Sequence, residues 1–122
     1  MNIINLTPHA INVVKDDGTI IASFPPSGAV ARVDTITDDL GPLNVHPDIP
    51  VVVQSFGAVK GLPDPQPDTI YLVSMVVGQA AGQDRDDLLG PDTSPAGAVR
   101  DADGRIIGTR RLVYYGRVNP RP

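Results

Sequence analysis

At 122 residues, with fourteen acidic and ten basic side chains, the chain carries a net charge of −4. It is bounded at one domain with one modest core, and general polyanion binding is disfavoured. There is no cysteine, so disulfide frameworks and thiolate metal sites are excluded. Every acid is aspartate, eight of the ten bases are arginine, and thirteen prolines and twelve glycines punctuate the chain, which favours turns and short strands over long surface helices.

In chain order, Met1 to Leu6 reads as an edge-like strand, broken at Thr7-Pro8 before a second apolar run from Ala10 to Val14. Asp17-Gly18 between β-branched segments is a hairpin signal, with Thr19 to Phe24 as the returning strand. Pro25-Pro26-Ser27-Gly28 ends that hairpin, and Ala29 to Thr37 alternates as a strand with one wet face. Asp38 to Pro50 reads as loop because Gly41-Pro42, His46-Pro47 and Ile49-Pro50 interrupt it, with a short strand near Leu43 to Val45. Val51 to Phe56 is a continuous apolar run, the pattern of a strand buried on both faces.

Gly57 to Gly61 reads as a hairpin connection or short return, and Leu62 to Pro67, with three prolines, as a rigid extended crossover. Thr69 to Gly82 begins β-rich and then turns to small residues, predicting a strand that runs into one or two helical turns. Gln83 to Gly97 is a long charged loop of the kind that carries function. Ala98 to Asp101 and Arg105 to Tyr115, joined through Asp103-Gly104, form a second hairpin, and residues 116–122 are a frayed tail.

These elements predict a mainly β domain over residues 1–115, with a β-rich α+β fold as the variant. Its architecture is a compact sandwich or partly open barrel with two hairpins and at most one short helix. The core candidates are Ile4, Leu6, Ile11, Val13, Ile21, Phe24, Val33, Val51, Val53, Phe56, Tyr71, Val73, Val76, Ile106 and Leu112. A small core this short of aromatics points to homo-oligomerisation as a source of extra stability. The longest apolar stretch, Ile70 to Ala81, falls short of the roughly 20 residues that span a bilayer, so no membrane role is indicated. With no signal-peptide pattern at the N-terminus, the expected location is the cytoplasm.

Charge is sorted along the chain. From Ala96 onward six arginines face only Asp101 and Asp103, a local +4 against −8 for the rest. An arginine set of this kind grips phosphate bidentately. Nucleic acid is not the expected partner, since the chain is acidic overall and lacks an aromatic and basic strand pattern for stacking bases.

Two histidines without metal-ligand spacing, His9 after a strand break and His46 among prolines, give no metal site. Asp101-Ala102-Asp103-Gly104 has the opening of a calcium loop without its terminal glutamate, so it reads as a turn. Gly78 to Gly82 lacks the lysine and spacing of a P-loop. In Asp84 to Asp87, an arginine held by a neighbouring carboxylate is the favoured reading over a hydrolytic carboxylate pair.

Asn5-Leu6-Thr7-Pro8-His9, Gly61-Leu62-Pro63, Tyr71-Leu72-Val73-Ser74, Arg85-x-Asp87-Leu88, Val99-Arg100-Asp101 and Gly104 to Gly108 together resemble a family of small proteins from tailed phages and prophages. The family brings no established reaction. The resemblance implies a phage accessory protein acting in the cytoplasm of a bacterial host. By analogy of size and setting it suggests an antidefence sponge that sequesters a nucleotide-derived immune signal, such as a cyclic dinucleotide or an ADP-ribose derivative.

The expected function is therefore non-enzymatic binding of a small phosphorylated ligand, with no cofactor. Arg85 and Arg100 would hold phosphate, His9 or Tyr71 would lie near the base, and Thr7 and Asp87 would orient them. The rivals are a phosphodiesterase-like hydrolase using Asp86, Asp87 and His9, and a structural or assembly protein of the phage particle.

Overall fold

The computed structural model describes residues 1–116, and the expected tail beyond Gly116 lies outside the described residues. Ten strands and one short helix follow in the order β1 (Asn2–Asn5), β2 (Ile11–Val14), β3 (Ile20–Phe24), β4 (Arg32–Leu43), β5 (His46–Lys60), β6 (Thr69–Leu72), α1 (Met75–Ala81), β7 (Leu88–Pro91), β8 (Ala98–Arg100), β9 (Ile106–Thr109) and β10 (Leu112–Tyr115). The fold is mainly β in the α+β sense, as expected, and its sheets do not close into a barrel.

The first sheet has the order β1-β6-β7-β10, with β1, β6 and β7 mutually parallel and β10 antiparallel to β7. The parallel step from β6 to β7 is made through α1, the crossover implied by the strand-to-helix reading of Thr69 to Gly82. Ser74 caps the helix, its Oγ accepting from the Val77 amide at 3.4 Å. The second sheet, β3-β2-β9-β8, is two hairpins joined by a single parallel pairing of Val13 with Thr109. Both predicted hairpin turns form, with Gly18 at φ 87° and Gly104 at φ 83°, positions that favour glycine.

The return strand of the second hairpin differs from the expectation by splitting. Residues 106–109 stay in the second sheet, whereas 112–115 enter the first, with Arg110 and Arg111 at the switch. Thr109 anchors that switch: its Oγ1 lies 2.9 Å from the Asp92 carbonyl and 2.8 Å from that of Arg111.

The core lies between α1, the first sheet and the base of β4 and β5. Leu6, Ala31, Tyr71, Val73, Val77 and Leu88 are buried there, with Ile4, Val33, Val59, Leu62, Ala81 and Tyr115 packed around them. Among the core candidates, Leu6, Ile11, Tyr71 and Val73 are buried, while Ile21, Val53, Phe56, Val76 and Ile106 are exposed. Val77 replaces Val76 because α1 starts at Met75, and one residue of helix rotates the side chain by about 100°.

The largest departure lies between Arg32 and Lys60. The expected loop over 38–50 is instead the outer part of a long two-stranded arm, β4 paired antiparallel with β5 and, among the described residues, with no other strand. The prolines fit because Pro42 and Pro50 face each other in register, so neither removes a donor that the other needs, and the ladder shifts around Gly41 at φ 86°. Val52, Val53 and Phe56 are 44–50% exposed, which corrects their reading as a doubly buried strand. Their apolar run is real, but among the described residues no second layer covers it.

Candidate ligand-binding cleft

Asn5, the last residue of β1 and 2% exposed, organises the loop that follows it. Its Nδ2 donates to the carbonyls of His9 at 2.8 Å and Phe24 at 2.9 Å, and its Oδ1 accepts from the Thr7 amide at 2.9 Å and the Thr7 hydroxyl at 2.7 Å. Its own carbonyl accepts from Ser27 through both amide and hydroxyl. One buried amide thus satisfies three groups of a turn that has no ladder to pair with and one carbonyl at the end of β3, and it fixes Thr7-Pro8-His9 against that strand. Pro8 and His9 are exposed on the outside of this turn.

The turn forms one wall of an open cleft of about 410 Å³. Ser74 and Met75, at the start of α1, and Pro91 and Thr93, at the end of β7, also line it. Ile11 and Asn12 of β2 and Ile106 to Thr109 of β9 complete the lining. The segments that follow β1, β6 and β7 therefore all border one opening, which lies at the carboxyl ends of the three parallel strands. Most of the lining is apolar. Asn12 is held by Ser23, whose Oγ donates to Asn12 Oδ1 at 2.6 Å.

Of the six residues picked out from sequence, Thr7 and His9 line this cleft, and Tyr71, Arg85, Asp87 and Arg100 do not. Tyr71, Arg85 and Asp87 come together elsewhere, before the first residue of β7. Arg85 binds Asp87 bidentately, Nε to Oδ1 at 2.9 Å and Nη2 to Oδ2 at 2.8 Å, with its guanidinium 5.9 Å from the Tyr71 ring centroid. Asp87 is 4% exposed, and the ion pair raises the Arg85 pKa. The Tyr71 amide donates to the Asp87 carbonyl at 2.9 Å and its hydroxyl to the Asp64 carbonyl at 3.3 Å. This set clamps the α1–β7 loop onto β6 and the proline-rich crossover.

Arg100 ends β8, and its Nη1 donates across the β8–β9 turn to the Gly104 carbonyl at 2.6 Å. Arg85 precedes β7 of the first sheet and Arg100 ends β8 of the second, and each is engaged by a different partner, Asp87 and the Gly104 carbonyl. The cleft lining includes neither arginine. Asp87 is held by Arg85, while His9 lines the cleft.

The sorted charge of the C-terminal strands is used within the fold. Arg110 pairs with Asp16 at 2.7 Å and Arg111 with Asp92 at 2.6 Å. Asp92 also accepts from Ser94, and hydrogen bonds from Ser94 and Arg111 lower its pKa to about 2. Asp101 Oδ1 accepts from the amides of Asp103 and Arg105, the turn expected from that sequence. Among the described residues no group of three His, Cys, Asp or Glu is placed to hold a metal ion, and no helix is long and apolar enough to cross a membrane.

Sequence reasoning missed Met75, Pro91, Thr93, Ile106 and Ile107. A usable signal was present in the strand-to-helix reading of Thr69 to Gly82, since such a unit returns to a parallel strand and brings the ends of both strands to one edge. In comparisons with known proteins, no family model matches this chain, and no curated protein or solved structure matches it.

Proposed function

We propose that this protein binds, without transforming it, the nucleobase-bearing part of a small phosphorylated molecule, and that the seat is the cleft at the carboxyl ends of β1, β6 and β7. The observation that carries this reading is the convergence of Thr7 to His9, Ser74 to Met75 and Pro91 to Thr93 on one opening. In open sheets with parallel strands, ligands enter the crevice outside those ends. A volume of about 410 Å³ lies within the range of small-molecule sites.

The lining suits a flat, mostly apolar group. Pro8, Met75, Pro91, Ile106 and Ile107 supply contact area, and His9 and Thr93 supply polar edges. Among the described residues neither lysine nor arginine lines the cleft, so phosphate projects from the mouth into water instead of entering a guanidinium grip. Sequestration, the role suggested by the phage-family resemblance, requires only that the molecule be held and released intact.

The test is thermal shift and calorimetric titration with nucleosides, mononucleotides, cyclic dinucleotides and ADP-ribose derivatives, followed by heat release and chromatography of any bound ligand. His9→Ala and Met75→Trp, both at exposed positions, are expected to abolish the ligand-induced shift, whereas Arg100→Ala leaves it intact. Normal binding by both cleft variants, or loss of binding on Arg100→Ala, overturns the assignment. Recovery of altered ligand favours the hydrolase.

A further inference from the structure

Most polar side chains that line the cleft are already committed to the fold. The Thr7 hydroxyl is engaged with Asn5 Oδ1 at 2.7 Å and the His9 carbonyl at 3.0 Å, Ser74 Oγ caps α1, and Thr109 Oγ1 is engaged with the Asp92 and Arg111 carbonyls. That leaves the His9 ring, the Thr93 hydroxyl and the amide of Asn12 to meet a ligand. A neutral imidazole or a hydroxyl donates or accepts as its partner requires. Asn12 has no such choice, because its neighbours fix which way the amide points.

Asn12 lies on β2, between β3 and β9. On one side its cross-strand partner Ser23 places Oγ 2.6 Å from Oδ1, and on the other the Ile107 carbonyl lies 3.5 Å from Nδ2. A serine hydroxyl suits either end of an amide, but a carbonyl only accepts, so a flipped Asn12 would set oxygen against oxygen at Ile107. The nitrogen end therefore faces β9 and the oxygen end β3. Ile106 to Thr109 of β9 line the cleft, whereas among the described residues none of β3 does. Beyond the hydrogen turned to Ile107, Nδ2 carries a second, which has no partner among the described residues.

We propose that Asn12 makes the cleft selective for a base that presents an exocyclic oxygen to it, an oxo-purine or oxo-pyrimidine, over one that presents an exocyclic amino group. The inference rests on the cleft being the seat of a nucleobase. An asparagine that reads adenine uses both ends of its amide, accepting from the amino group and donating to the ring nitrogen. Here Oδ1 is turned towards β3 and taken by Ser23, so donation alone is left. An oxo group accepts that hydrogen, whereas an amino group sets donor against donor and leaves Nδ2 unsatisfied. Ser23, itself outside the lining, is the positioning residue that acts through Asn12.

Calorimetric titration with inosine and adenosine tests this, since their purines carry an oxo and an amino group at the same ring carbon. The unmodified chain is expected to bind inosine about tenfold more tightly, the effect of one hydrogen bond. Asn12→Asp, which keeps the shape and only accepts when ionised, should reverse the preference. Ser23→Ala lets the amide turn and should bring the two affinities to within about twofold, while Ser23→Thr keeps the hydroxyl and the original ratio. A role for Ser23 in sheet stability alone would leave that ratio unmoved. Equal binding or a preference for adenosine in the unmodified chain, or an unchanged ratio in Ser23→Ala, overturns the proposal. If His9→Ala still abolishes binding in that case, the cleft stands as the seat and only the selectivity falls. Binding of neither nucleoside overturns both.

Discussion

The buried Asn5 side chain holds the His9 carbonyl at 2.8 Å while accepting from the Thr7 amide at 2.9 Å, so the shape of one cleft wall depends on a single amide at the end of β1. Asn5→Ala leaves the Thr7 amide and the Phe24 carbonyl without this partner, whereas the His9 carbonyl still accepts from the Thr7 hydroxyl at 3.0 Å. At about 1–3 kcal/mol for a polar group left unsatisfied, a loss of about 2–3 kcal/mol is expected from the denaturant midpoint. Ligand binding should fall with it. Thr7→Ala removes one hydroxyl and should cost about 1 kcal/mol.

Arg85 and Asp87 are expected to matter for stability and not for binding. Arg85→Ala strands a carboxylate that is 4% exposed, a change that costs about 3–5 kcal/mol when a buried pair is broken from one side. Replacing both with leucine should recover most of that loss, since neither charge then remains buried. Urea titration of the single and double variants measures the difference. In the double variant, the thermal shift produced by ligand should match that of the unmodified chain.

Asp92 gives the fold a defined acid response. Its pKa falls from 3.8 to about 2 on folding, so the folded state binds this proton less readily than the unfolded chain. The resulting stability is fully present above pH 3.8 and is lost as the pH falls through about 2. Melting temperature measured across that interval should drop less steeply in Asp92→Asn than in the unmodified chain. Equal slopes would mean that the Ser94 and Arg111 contacts do not set this titration.

Gly78 allows α1 to approach Tyr115. A Cβ there would lie 2.3 Å from the ring, so Gly78→Ala must displace either the helix or β10. Alanine gains about 1 kcal/mol in helix propensity, but overpacking costs about 1–3 kcal/mol. Net destabilisation is expected in thermal melts, and Gly78→Ala with Tyr115→Leu should recover part of it.

Local chemistry made much of the fold legible. Asp17-Gly18 and Asp103-Gly104 require backbone angles that few other residues accept, so both turns could be placed from composition alone. The change from β-branched to small residues at Ser74 likewise marked the strand-to-helix unit. The arm was hidden because prolines that read as loop are tolerated in a two-stranded ladder, and because Val51 to Phe56 has the pattern of a core strand whatever covers it. Thr7 and His9 were legible as a strand break with polar groups, but their partners Met75 and Thr93 meet them only through parallel pairings that periodicity does not encode. The sorted charge was visible, whereas its use was not: Arg110 meets Asp16 from 94 residues away.

Chemical-shift mapping of the ¹⁵N-labelled protein during titration with the nucleotide that gives the largest thermal shift tests the binding assignment most directly. Perturbations are expected to cluster at His9, Asn12, Met75, Thr93 and Ile107, leaving Arg85 and Arg100 unchanged. Perturbations centred on Arg85 or Arg100, with the cleft silent, would contradict it.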